Sequence, residues 1–205
     1  MQVREFAMRN VLQALSDEEL VRLAQNGSSE AFGELVNRYE NKIYRLARRM
    51  TKTQEDGEDV LQEAFVKAFR SISRFKGESK FSTWLYRITV NLVLMKQRDK
   101  KITTESLDEP ISTKNGEIRR DIRDARHDPL AALIAKESQQ TLDRAIEDLS
   151  PTNRAVFVLR HIEGFSTEET RKILSLSEPA VKSRLHRTRL TLMKNLGDTI
   201  PNFHA

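Results

Sequence analysis

From Ser16 onward the apolar residues of this 205-residue chain recur at three- and four-residue intervals, and no segment alternates as a half-buried strand would. That periodicity confines the fold to packed helices. Ser16-Asp17-Glu18-Glu19 reads as a capping box opening a helix with Leu20, Leu23 and Ala24 on its inner face, stopped at Asn26-Gly27. A second helix sets Phe32, Leu35, Val36 and Tyr39 inward and runs on through Ile43, Leu46 and Ala47. A third, from about Glu55, carries Val60, Ala64, Phe65, Ala68, Phe69 and Ile72 on one broad stripe. Beyond the break at Phe75-Lys76-Gly77, a fourth spans Ser82 to about Lys100, with Trp84, Leu85, Ile88, Leu92 and Met95 inward. Four such helices close one small core, so residues 16–100 form a first domain behind an N-terminal extension, 1–15.

Residues 101–128 hold few large apolar side chains and include Pro110, Gly116 and a mixed-charge run from Glu117 to Asp128. Such a stretch cannot offset its ordering entropy by burial and reads as a flexible linker, with an irregular helix over Ile118 to Arg126 as the alternative. Helical periodicity returns from Pro129 with Leu130, Leu133 and Ile134, then Leu142, Ile146 and Leu149. Ser150-Pro151 is a start signal, a cap followed by proline at the first helical position, and Gly164 ends that helix. Ser166-Thr167-Glu168-Glu169 is a second capping box, opening a short helix to Leu174, and Ser175-Leu176-Ser177 leads into a last helix from Glu178 to about Leu196. The expectation is an all-α chain of two small helical domains, 16–100 and 129–205, joined by the 101–128 linker.

Composition narrows the function. With no Cys, disulfides, thiol catalysis and thiolate zinc sites are excluded. No apolar run approaches the roughly 20 residues of a membrane span, and Arg4, Glu5 and Arg9 make the N-terminus unlike a signal peptide. A cytoplasmic protein without direct membrane insertion is expected. His127, His161, His186 and His204 are scattered, no glycine loop could cradle phosphate, and the acid pairs Asp56/Glu58 and Asp108/Glu109 read as solvated surface. We therefore expect no enzyme, no cofactor and no metal.

Net charge of +5 and a pI near 9.5 allow a nucleic-acid partner, and two clusters favour one. A short helix, a tight turn and a longer helix is the helix-turn-helix outline. From Ala180 to Leu196 the last helix holds Lys182, Arg184, Arg187, Arg189 and Lys194 and no acid. Val181, Leu185 and Leu192 form its buried stripe, so Lys182, Ser183, His186, Arg187 and Arg189 point outward, suited to a major groove. In Phe75–Arg98, the aromatics Phe75, Phe81, Trp84 and Tyr86 lie among Lys76, Lys80, Arg87, Lys96 and Arg98. Stacking faces interleaved with cations suit an unpaired strand; the alternative is that Trp84 and Phe81 are core.

Glu58-Asp59-Val60-Leu61-Gln62-Glu63-Ala64-Phe65, Phe75-Lys76-Gly77 and Phe81-Ser82-Thr83-Trp84-Leu85-Tyr86-Arg87-Ile88 with Asn91 closely resemble domain two of bacterial sigma factors of the extracytoplasmic-function (ECF) group. Leu149 through Arg189 resembles domain four of that group, including Glu163-Gly164-Phe165-Ser166 and Val181-Lys182-Ser183-Arg184-Leu185-His186-Arg187. The resemblance implies a dissociable subunit of RNA polymerase, monomeric when free and commonly restrained by an anti-sigma factor. It assigns core-polymerase docking to Asp59, Gln62 and Glu63. Capture of the melted minus-ten strand falls to the loop of Phe75, Lys76, Gly77, Ser79 and Lys80, and to Phe81, Trp84, Arg87, Asn91, Lys96 and Arg98. The minus-thirty-five element falls to Lys182, Ser183, Arg184, His186, Arg187 and Arg189. Against the family pattern, Thr170 replaces an aliphatic, Arg171 a small residue that would have to snorkel, Pro179 a glycine and Ser175 a turn glycine. The rival reading, a stand-alone helix-turn-helix regulator, leaves Asp59, Gln62, Glu63 and the aromatic–basic cluster unexplained.

Geometry adds one expectation. Promoter elements about 25 base pairs apart are separated by roughly 85 Å of duplex. A relaxed coil of about 28 residues averages about 30 Å, though it stretches to roughly 95 Å. The free chain is therefore expected to be compact, and to be extended only on polymerase.

Overall fold

The computed structural model describes residues 10–105 and 141–197, and every regular element among them is helical. A short helical stretch over 10–14 precedes α1 (Asp17–Gln25), α2 (Ser29–Met50) and α3 (Gln54–Ser71). A 3₁₀ turn, Ile72–Arg74, leads through a loop to α4 (Phe81–Glu105). In the second unit a helical segment over 141–147 is followed by α5 (Pro151–Phe157), a wide π turn (Val158–Ile162), α6 (Thr167–Leu174) and α7 (Glu178–Gly197). The all-α expectation is what the structure shows.

Side-chain caps set most of the helix starts. Ser16 accepts the Glu19 N–H at 3.3 Å while the Glu19 carboxylate accepts the Ser16 N–H at 2.7 Å, satisfying two donors reciprocally. Ser166 and Glu169 repeat the exchange at 3.1 and 2.9 Å. Ser28 and Thr53 cap α2 and α3 through the N–H groups of Ala31 and Asp56. Ser150, expected to cap α5, makes no side-chain cap bond. That start rests on Pro151, whose fixed φ already suits a first helical turn.

Leu20, Leu35, Ile43, Leu46, Met50, Val60, Leu85 and Leu92 are fully buried at the centre of the first unit. Three residues expected inward are not: Leu23 is 39% exposed, Phe69 52% and Met95 39%. On α3 the buried stripe is Val60, Ala64, Phe65, Ala68 and, just beyond, Ile72. Phe69 lies at its margin, touching only the edge of Phe32 (ring centroids 5.0 Å apart).

The described part of the N-terminal extension is tied down by one side chain. Arg38 donates to the carbonyls of Leu12, Gln13 and Leu15, and pairs with Asp17 at 2.9 Å and Glu34 at 3.1 Å. The carbonyls at the end of the 10–14 stretch thereby gain the cationic partner a helix C-terminus favours. At the other boundary α4 runs to Glu105, five residues into the expected linker, because a helix already docked continues at little cost. The rest of that linker and the expected helix start at Pro129–Ile134 lie outside the described residues.

The second unit packs against α2 and α4 of the first, with buried residues of both in one hydrophobic cluster. Tyr86 of α4 donates to Glu163 at 2.7 Å and meets the Phe165 ring edge-on at 4.7 Å. Arg49 at the end of α2 pairs with Glu163 at 3.4 Å, and Arg154 donates to the adjacent Met50 carbonyl, also at 3.4 Å.

Candidate nucleic-acid interface

Three faces carry the residues singled out above. On α3, Asp59 and Gln62 are exposed, and Glu63 is paired with Lys96 of α4 at 3.0 Å. One helical turn further on the same side stand Val66 and Phe69, 47% and 52% exposed. Sequence reasoning missed these two as surface groups. Their signal was a spacing of four from Gln62 and then three, which places them with the polar face.

The second face is the loop before α4. Gln25 donates to the carbonyls of Ile72 (3.0 Å) and Phe75 (2.8 Å), fixing where the loop leaves the core. Gly77 turns it at φ +72°, a conformation natural to glycine. Lys76, Gly77 and Lys80 are exposed and Ser79 is half-buried. Phe75 and Trp84, both half-buried, lie 5.0 Å apart, with Phe81 at 6.3 and 5.8 Å from them. Phe81, expected at the strand surface, is instead 4% exposed and lies edge-on to Tyr39, so it floors the cluster and offers no face of its own. Tyr86, expected beside the other aromatics, points to the second unit and is 3% exposed; burial, then its bond to the Glu163 carboxylate, pushes its phenol pKa far up. Successive turns of α4 display Arg87 and Asn91 to solvent. Arg98 is exposed beyond them, while Lys96 is engaged by Glu63.

The third face belongs to α7. Val181, Leu185 and Leu192 are buried as the spacing implied, and Lys182, Ser183, His186, Arg187 and Arg189 are exposed. Lys182 pairs with Glu178 at 2.6 Å, Arg187 donates to the Ser183 hydroxyl at 2.8 Å, and Arg189 donates to His161 Nε2 at 3.2 Å. Burial, then the charges of Arg189 and Arg160, hold the His161 pKa below its ordinary value, so the neutral ring accepts that bond. Arg184 differs from its neighbours: half-buried, it reaches Asn153 of α5 at 3.2 Å.

Between α6 and α7, Ser175 adopts the left-handed conformation, φ 53° and ψ 42°. Ser177 then caps α7 by accepting the Ala180 N–H, which leaves Pro179 in the first turn, where its missing N–H costs nothing. Arg171 does not snorkel into the helix pair; it turns outward and pairs with Glu168, whose pKa its bond lowers. Thr170 is fully buried and its hydroxyl has no hydrogen-bond partner. Among the described residues, no group of three or more His, Asp or Glu is placed to hold a metal, and no helix is long and apolar enough to cross a membrane.

This division, an acidic and amide face and an aromatic–basic loop on one helical unit and a cationic helix-turn-helix on another, is that of the sigma-70 class. Family models agree: sigma-70 region 2 matches residues 35–102 and sigma-70 region 4 matches residues 139–192. The ECF RNA polymerase sigma factor SigW of Bacillus subtilis is 35% identical over 178 residues, covering 87% of this chain and 95% of SigW. The ECF RNA polymerase sigma-E factor of Escherichia coli K12 is 35% identical over 180 residues, covering 85% and 91%. The structure of CnrH in complex with the cytosolic domain of CnrY superposes with a TM-score of 0.63 at 28% identity, over 90% of this chain and 99% of that one. The chain belongs to the ECF family of RNA polymerase sigma factors.

Proposed function

We propose that this sigma factor divides promoter-directed initiation among the three faces described above. Asp59, Gln62 and Glu63 dock on core RNA polymerase, and Val66 and Phe69 extend that surface with apolar area that water otherwise covers. The loop of Phe75, Lys76, Gly77, Ser79 and Lys80 takes an unstacked base of the minus-ten strand. Trp84 supplies a stacking face from Phe81's support, and Arg87, Asn91 and Arg98 continue along the strand. Lys96 joins them when polymerase draws Glu63 away. Lys182, Ser183, His186, Arg187 and Arg189 read or grip the minus-thirty-five duplex, Arg being able to address guanine bidentately. Arg184 acts from behind, holding α7 against α5 through Asn153.

The observation that carries this reading is the exposed face of α7, which combines cations, a hydroxyl and an imidazole outward with a fully buried apolar stripe inward. The chain itself performs no chemistry; catalysis belongs to the polymerase. It works in the cytoplasm, as a monomer when free. The likeness to CnrH, held in complex with the cytosolic domain of CnrY, supports its restraint by an anti-sigma factor.

Transcription of fragmented genomic DNA by purified core polymerase, with and without the protein, tests the reading. Discrete new start sites sharing two upstream motifs are expected. Arg187→Ala should weaken use of the upstream motif and leave polymerase binding intact, whereas Asp59→Ala with Gln62→Ala should do the reverse. Both variants losing the same function would refute the separation of surfaces.

A further inference from the structure

The contact between the two units is built unlike the cores on either side of it. Glu163 stands at the tip of a turn fixed from three directions. Its own N–H reaches the Val158 carbonyl, the Phe165 N–H reaches Leu159, and Arg160 donates to the Phe165 carbonyl. Gly164, at φ +73°, makes the reversal. The Glu163 side chain is only 9% exposed, and its two oxygens are taken by different helices of the first unit, one by Arg49 and one by Tyr86. Arg154 adds a bond to the carbonyl beside Arg49, and Lys80 stands 3.9 Å from Glu169. Acids of the second unit thus meet a phenol and cations of the first.

Closure leaves the reading groups uncovered. Arg87 and Asn91 on α4, and Lys182, Ser183, His186, Arg187 and Arg189 on α7, are exposed while the units touch. What contact denies them is distance. Elements about 25 base pairs apart demand roughly 85 Å between the readers, which two packed units each about 30 Å across cannot provide.

We infer that the 163–165 turn is a latch seated between Arg49 and Tyr86, which keeps the free chain inactive by holding both DNA-reading units at the wrong spacing while leaving each face open. The inference rests on the promoter-reading assignment above. A buried ion pair is well suited to a releasable contact. On opening, both charges recover hydration that the closed state forfeits, so the pair fixes one docking geometry without holding it strongly. Val90 and Val93, which follow Tyr86 at helical spacing and are buried, are the apolar face that release uncovers.

The chain has no cysteine, so Arg49→Cys with Glu163→Cys supplies its only two thiols. Joining them with a short bis-maleimide replaces the latch by a covalent one. On promoter templates recovered from genomic fragments, the unlinked double variant with core polymerase should initiate, and the linked protein should lose at least tenfold. Each single-cysteine variant treated with the same reagent should keep its activity. Linked protein initiating within threefold of unlinked would overturn the latch. A wild-type chain that directs no initiation would instead overturn the assignment of function. Small-angle scattering of the free full chain gives a readout independent of transcription. Tyr86→Phe combined with Glu163→Gln should enlarge the radius of gyration, and an unchanged radius would also overturn the latch.

Discussion

Ser175 holds the turn of the helix-turn-helix in a conformation that L-residues avoid, and replacing it with glycine should stabilise the second unit. At φ 53° and ψ 42° its Cβ crowds the carbonyl oxygen, at a cost of roughly 1–2 kcal/mol. Glycine removes that cost but gives up about 0.5–1 kcal/mol of extra chain entropy on folding. The net gain expected for Ser175→Gly is about 0.5–1 kcal/mol, a rise of a few degrees in melting temperature for a unit of this size. The side chain is exposed, and the backbone bond that ends α6, from the Ser175 N–H to the Arg171 carbonyl, survives the change. Ser175→Ala keeps the strain and should gain nothing, and Ser175→Asn, better suited to this region, should fall between. Thermal and urea unfolding of the full chain, followed by circular dichroism, measures all three. A loss of stability in Ser175→Gly would show that the hydroxyl contributes more than the strain costs and would refute the reasoning.

Arg38→Ala should destabilise the first unit by about 2 kcal/mol, the scale of losing several charge-assisted hydrogen bonds; urea unfolding and faster proteolysis within residues 10–16 would show it. Because the His161 pKa is depressed by folding, its stabilising effect is complete above the unfolded value of about 6.5 and declines as pH falls through the folded value. The stability difference between wild type and His161→Gln should therefore shrink on acidification from pH 8 to pH 5. A difference that grows instead would contradict the sign.

Much of this was legible before any coordinates. Both capping boxes, the Asn26-Gly27 stop and the buried Val181, Leu185 and Leu192 follow from short-range spacing, where local chemistry and tertiary packing agree. Phe69 was misread because periodicity locates a stripe without its edges; which flank stays wet depends on how far the neighbouring helix reaches. Tyr86 was misread for a related reason. Apolar residues surround α4, since one side faces its own core and another receives the second unit, so no single moment directs the eye. Ser150 shows the opposite failure, a correct helix start whose expected bond is not made. The Glu163 contact to Arg49 and Tyr86 spans 114 and 77 positions, and no local pattern reports on so distant a pairing.

The π turn at Val158–Ile162 carries a consequence for what insertions and deletions this chain tolerates. A π turn holds one residue more than the α-helical turn it replaces, so it acts as a phase shifter. Deleting one residue there and letting the helix close to regular geometry would swing everything downstream by about 100° and draw it back by about 1.5 Å. Glu163 would then leave the notch between Arg49 and Tyr86, or α6 and α7 would leave their seat on α5. Length within this short segment is therefore held by two surfaces at once, and substitutions in it should be accepted far more readily than a change in residue number.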